Sequence, residues 1–128
     1  MIYLDSSAIV KLVVREPETR ALRAYLRHEP ERVACSLART EVLRAVRPVG
    51  PSAVELARQV LRNLALIRLD DALLDAAGML EPLTLRSLDA IHLAAAHLVA
   101  PTLRAVVTYD RRMADAAAAL GLGVAAPA

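Results

Sequence analysis

The sequence predicts an α/β domain: a central parallel sheet of about five strands flanked by about seven helices. Two observations carry this. Short runs rich in β-branched residues alternate along the whole chain with helical patterns, and the connections between runs are long enough for crossovers. In addition, acidic residues follow the first and fourth of these runs directly, where open α/β sheets build their sites.

Met1 to Leu4 is the first strand-like run, and it ends in Asp5, after which an apolar helix spans Ser7 to Val14. Pro17 opens the next helix, Glu18 to His28, in the first-turn position that suits proline, with Ala21, Leu22, Tyr25 and Leu26 on one face. Arg32 to Cys35 forms the second strand. Ser36 is placed to cap a helix running to about Val46, which Pro48, Gly50 and Pro51 terminate. A helix from Ser52 to about Asn63 leads to a third strand, Leu66 to Leu69. Asp70 is placed to cap a helix to about Leu80, stopped near Pro82, and Ser87 to cap one through about Val99, stopped before Pro101. In this last helix Leu88, Ile91, Ala95 and Leu98 make the expected core face. Arg104 to Tyr109 is the fourth strand. The final helix starts at Asp110 and stops at the Gly121 to Gly123 signal, before a fifth strand from Gly123 to Ala126.

With 128 residues the chain fits one domain, residues 1–128, whose core needs no disulfide staple. The hydrophobic fraction of 56% comes from Ala, Leu and Val, and three Tyr are the only aromatics, which predicts a core of small residues. Charge or His interrupts every apolar stretch well before the ~20 residues of a membrane span. The first residues carry Asp5 where a signal peptide would be apolar and lack a basic leader. The lone Cys35 fits a reducing, cytoplasmic location. The net charge is only +2, but residues 1–64 hold eleven Lys or Arg against seven acids, so an acidic partner such as nucleic acid is allowed.

Asp5, Glu41, Asp89 and Asp110 are far apart in sequence, yet this fold brings them towards one sheet edge. Singly, each has a plain structural explanation. Asp5 and Asp110 open helices as caps, and Asp89 suits a helix dipole in the first turn after Ser87. Glu41 shares a helical sector with Leu37, Ala38 and Ala45 and is expected to be partly buried. His92, three residues after Asp89, could orient that acid or simply cover the helix flank. Three or four clustered carboxylates repel one another unless a positive charge lies between them, and an oxygen-only donor set suits Mg2+ or Mn2+. Metal-dependent phosphodiester hydrolysis is the chemistry this pattern favours. No zinc spacing, nucleophile elbow or phosphate-binding glycine loop is present.

Tyr-Leu-Asp-Ser-Ser-Ala at the start, Ser-x-x-x-x-Glu-Val-Leu-Arg from Ser36 to Arg44, Ser-Leu-Asp-Ala-Ile-His-Leu-Ala from Ser87 to Ala94, and Thr-Tyr-Asp-Arg-Arg-Met from Thr108 to Met113 occur in order. Together they resemble the PIN-domain ribonucleases, most closely the VapC-type toxins of bacterial type II toxin–antitoxin pairs. The resemblance implies a single PIN domain in which Asp5, Glu41, Asp89 and Asp110 bind Mg2+ or Mn2+ and position the attacking water. It implies supporting roles for Ser6 and Thr108. Asp115 is a further candidate, although it lies well round the helix from Asp110. It also implies cleavage of single-stranded or structured RNA, such as a tRNA or rRNA loop, leaving a 5′-phosphate and a 3′-hydroxyl and inhibiting translation. A cognate VapB-type antitoxin, a homodimer and a toxin–antitoxin hetero-oligomer belong to the same implication. Lys11, Arg15, Arg39, Arg86, Arg111 and Arg112 are the candidate phosphate contacts. With no Phe or Trp, base stacking falls to Tyr or Arg. Two rivals remain open at this point: a PIN-like RNA- or protein-binding module that has lost catalysis, and a phospho-receiver. Against the receiver, Ser7 stands where a second acid is expected and no Lys lies near a late strand.

Overall fold

A computed structural model describes residues 1–128. Five parallel strands, β1 (Ile2–Leu4), β2 (Arg32–Cys35), β3 (Ala65–Ile67), β4 (Ala105–Val107) and β5 (Val124–Ala125), form one sheet in the order β3-β2-β1-β4-β5. Seven α-helices connect them: α1 (Ser6–Val13), α2 (Thr19–Leu26), α3 (Leu37–Val46), α4 (Pro51–Arg62), α5 (Asp71–Gly78), α6 (Ser87–Leu98) and α7 (Arg111–Ala119). Short 3-10 turns follow α3 and α6.

The sheet is covered on both faces, and its pleat divides the core in two. Ile2, Leu4, Ala34 and Val107 pack on one side with Ala8, Ile9, Leu22, Val42 and Leu61 of α1 to α4. Tyr3, Val33, Cys35 and Val106 pack on the other with Leu73, Leu93, Met113 and Ala117 of α5 to α7. The chain moves outward from β1 through β2 to β3, then returns across the sheet to β4 and β5. Keeping crossovers right-handed through that reversal sends the later helices to the opposite face. It also makes the β1/β4 boundary the switch point, where a crevice opens beyond the carboxyl ends of the strands. No helix is long and apolar enough to cross a membrane.

The strands at positions 66–69 and 104–109 are shorter than expected, because near the carboxyl edge the chain leaves the ladder to make side-chain-capped turns, and the fifth spans only Val124–Ala125. Asp5, Asp70 and Asp110 act as the expected caps, accepting from Ala8 N, Leu73 N, and Arg112 N and Met113 N respectively. Ser36 and Ser87 do not. Ser36 is already in helical conformation (φ −64°, ψ −15°) and makes no capping bond, and Ser87 is the first residue of α6, with Arg86 in the extended position before it. The core face of α6 is as expected at Ala95, which is buried, and at Ile91, which packs partly buried against the same cluster, but not at its two leucines. Leu88 and Leu98 are exposed, whereas Ala90, His92, Leu93, Ala94, Ala95 and Ala96 are buried. The buried side of α6 is mostly alanine, so bulk alone misleads about which side faces inward. The Gly121 stop is as expected (φ +80°). Gly123 permits a close backbone approach, since a Cβ there would lie 2.6 Å from the carbonyl oxygen of Arg104.

Candidate functional site

Asp5, Ser6, Ser7, Glu41, Arg86, Asp89, His92, Asp110 and Met113 line one cleft of about 190 Å³ at the carboxyl edge of β1 and β4. The four acids are thus brought together from the loop after β1, from α3, from α6 and from the cap of α7.

Asp5 is the most enclosed, 4% exposed. Its Oδ1 accepts from Ser7 Oγ at 2.6 Å and Ala8 N at 2.9 Å, and its Oδ2 from Thr108 Oγ1 at 2.5 Å. Burial pushes its carboxyl above the ordinary value, and these three bonds only partly offset the desolvation. Thr108 Oγ1 also accepts from Asp110 N, and Ser7 Oγ from Tyr109 N, so the turn after β4 is tied to the cap of α1. Ser6 and Thr108 both bond to acids of the quartet, Ser6 Oγ donating to Glu41 Oε1 at 2.7 Å.

His92 does not orient Asp89. It is buried and reaches across to α3, its Nε2 lying 2.5 Å from Glu41 Oε1 and 3.3 Å from Ser6 Oγ. On its other edge Nδ1 meets Tyr3 Oη at 2.7 Å and Cys35 Sγ at 3.6 Å. Burial disfavours the imidazolium, but the bonds and charges of Cys35 and Glu41 outweigh it and lift the pKa to about 10. Doubly protonated, the ring donates to Glu41 from Nε2 and to Tyr3 from Nδ1. Glu41 is likewise raised by burial but held below its ordinary value overall by His92 and Ser6. Three residues apart on α6, Asp89 and His92 thus face different acids, a distinction that helical spacing alone does not make.

Arg86 is the second unexpected participant. Its Nε donates to Asp89 Oδ2 at 3.0 Å and its Nη2 to Asp110 Oδ2 at 3.1 Å, so one guanidinium bridges two carboxylates. From sequence, Arg86 is expected only as a phosphate contact. Asp115 does not line the acid cleft; it lies with Arg112 in an adjoining cleft of about 680 Å³ that shares Arg86 and Asp89. Arg15, Arg39 and Arg111 are exposed and line neither cleft. Lys11 is no free phosphate contact: it is buried, its Nζ lies 2.9 Å from Glu18 and 3.3 Å from Glu16, and it sits 4.7 Å above the Tyr109 ring.

No three His, Cys, Asp or Glu side chains are drawn together tightly enough to hold a metal ion as they stand. Each carboxylate is satisfied separately, Asp5 by hydroxyls and a backbone N–H, Glu41 by Ser6 and His92, and Asp89 and Asp110 by Arg86. The donor chemistry nevertheless fits a hard divalent cation. The cleft offers carboxylate and hydroxyl oxygens, no thiolate lines it, and a positive side chain already joins two of its acids.

The model of the PIN domain family matches residues 2–119. Ribonuclease VapC46 of Mycobacterium tuberculosis is 56% identical over 126 residues, spanning 98% of this chain and 97% of that protein. Ribonuclease VapC47 of the same species is 40% identical over 132 residues, spanning 99% and 97%. Among solved structures, a toxin–antitoxin complex from Klebsiella pneumoniae superposes with a TM-score of 0.76 at 19% identity, covering 100% of this chain and 98% of that one. VapC20 of Mycobacterium tuberculosis, a sarcin-ricin-loop-cleaving toxin, gives 0.74 at 14% identity, covering 95% and 96%. At those identities the two structures speak for the fold, and the two sequences for the family. The chain belongs to the PIN-domain family, in its VapC branch.

Proposed function

We propose that this chain is a Mg2+- or Mn2+-dependent endoribonuclease, the toxin of a VapBC-type toxin–antitoxin pair, working as one domain over residues 1–128 in the cytoplasm. The observation that carries the reading is the gathering of Asp5, Glu41, Asp89 and Asp110 in one cleft at the β1/β4 switch point. A divalent cation, when bound, supplies Lewis acidity and helps water attack phosphorus at neutral pH. Asp5, Asp89 and Asp110 are the proposed ligands. Ser7 and Thr108 fix the Asp5 carboxylate, and Ser6 and His92 fix Glu41, which lines the same cleft and is proposed to hold the attacking water or complete the ligand set. Asp115 is not assigned a role in the reaction.

The relatives' description as ribonucleases supports RNA as the substrate, and the structural match to a toxin–antitoxin complex supports a VapB-type antitoxin as partner. A tRNA or rRNA loop is the proposed target. Met79, Leu83 and Leu88, all exposed between the end of α5 and the start of α6, are apolar surface suited to a homodimer or hetero-oligomer. The test is induction in a bacterial host without an antitoxin. Wild type is expected to arrest growth and to generate new RNA ends carrying 5′-phosphate, and Asp5→Asn to abolish both. Equal growth arrest by the two proteins would favour the non-catalytic binding module instead.

A further inference from the structure

Arg86 stands on the wall between two clefts. On one side its planar fork meets Oδ2 of Asp89 on α6 through Nε and Oδ2 of Asp110, the cap of α7, through Nη2, a two-donor geometry that suits a guanidinium. On the other side it borders the larger cleft with Arg112 and Thr84. Its side chain is 63% exposed, against 15% for Asp89, so little packing holds the guanidinium in place. A guanidinium and a divalent cation cannot both lie close to the same two carboxylates without strong mutual repulsion.

We propose that Arg86 is a displaceable internal counter-ion: it competes with the divalent cation for Asp89 and Asp110, and once displaced turns into the larger cleft beside Arg112 to hold an RNA phosphate. The proposal rests on the metal-dependent ribonuclease reading above. The larger cleft sets three acids, Glu81, Asp89 and Asp115, against two cations, Arg86 and Arg112, an acidic excess that disfavours phosphate. Cation binding at Asp89 neutralises one of those acids and releases the guanidinium, which removes the acidic excess and would couple metal loading to RNA retention. A competitor holding the carboxylate pair about nine-tenths of the time weakens apparent metal affinity about tenfold.

The two consequences have opposite signs, which makes the test sharp. Mn2+ alone is titrated calorimetrically into wild type, Arg86→Gln and Arg86→Lys. Arg86→Gln is expected to bind about tenfold more tightly than wild type, with Arg86→Lys between them. A fluorescein-labelled phosphorothioate oligouridylate, titrated at saturating Mn2+ over a range of salt, is expected to bind Arg86→Gln more weakly, with a salt slope smaller by about 1. Arg86 is exposed, so its substitution should leave the melting temperature nearly unchanged. Mn2+ binding that is equal or weaker in Arg86→Gln overturns the proposal, as does an unchanged oligonucleotide salt slope, and both outcomes leave the ribonuclease reading standing. Failure of every protein to bind Mn2+ overturns the metal reading and this proposal together.

Discussion

Replacing His92 with Ala tests how Glu41 is held. The ring is 2% exposed and makes two short contacts, to Glu41 at 2.5 Å and to Tyr3 at 2.7 Å. A bond to a charged group contributes about 1.5–3 kcal/mol, and a buried hydroxyl left without a partner costs about 1–3 kcal/mol. The Glu41 side chain is 26% exposed, so water can partly replace its lost bond, which places the sum near the lower end, about 3 kcal/mol. An unfolding entropy of about 2.1 cal/mol/K per residue gives ~0.27 kcal/mol/K for a chain of this length, so the melting temperature should fall by ~11 °C. The assay is thermal denaturation by circular dichroism at pH 6 for wild type, His92→Ala, Glu41→Gln and the double variant. A coupling energy of about 1.5–3 kcal/mol is expected. A coupling near zero would refute the reasoning and leave Glu41 held by Ser6 alone.

The pH dependence follows from the two shifts. The pKa of His92 is raised from 6.5 to about 10, so its contribution is complete below 6.5 and disappears as pH rises towards 10. Glu41 is lowered from 4.5, so its contribution is complete above 4.5 and is lost as pH falls. The difference in stability between wild type and His92→Ala should therefore be greatest between pH 4.5 and 6.5 and shrink towards pH 10.

Asp5→Asn should melt a few degrees higher than wild type in EDTA at neutral pH. The buried carboxyl is raised above its ordinary 3.8, so its charge costs stability as pH rises past that value. The same substitution should abolish the gain that wild type shows in Mn2+, about 2.7 kcal/mol or ~10 °C at one hundred times Kd, as read in paired melts. Lys11→Ala should lower the melting temperature, because it strips two carboxylates and the Tyr109 face of their cation, and leave RNA affinity in filter binding unchanged. Gly123→Ala should cost about 1–3 kcal/mol in urea denaturation, because the obstacle at 2.6 Å is backbone rather than a movable side chain.

Much of the fold was legible because local signals agreed with the global arrangement. The β-branched runs are the strands, and Asp5, Asp70 and Asp110 announce their helices as caps. The two serine caps were not legible in the same way, since a hydroxyl at the right spacing does not reveal that Ser36 is already helical. Nor did the apolar pattern of α6 orient it. Four of its six buried residues are alanines, while its larger leucines at 88 and 98 face solvent. At the site, the acids could be named because the order of strands and helices carries them towards one sheet edge and the motifs around them resemble those of the PIN-domain family. Their partners could not, because Arg86 to Asp110, His92 to Glu41 and Tyr3 to His92 are contacts made across the fold, and no spacing encodes them. A signal for His92 does exist: a polar ring among buried alanines needs polar partners. It does not say which partners.

We propose that the four acids form one metal-dependent phosphodiesterase site. Its most direct test is incubation of the purified chain with bacterial RNA in Mn2+ or in EDTA, beside Asp5→Asn and Asp89→Asn, with the cleavage ends mapped. Discrete cuts bearing 5′-phosphate and 3′-hydroxyl ends are expected, present only for wild type and only with the metal. Cleavage that persists in EDTA, or that is undiminished in both variants, would contradict the proposal.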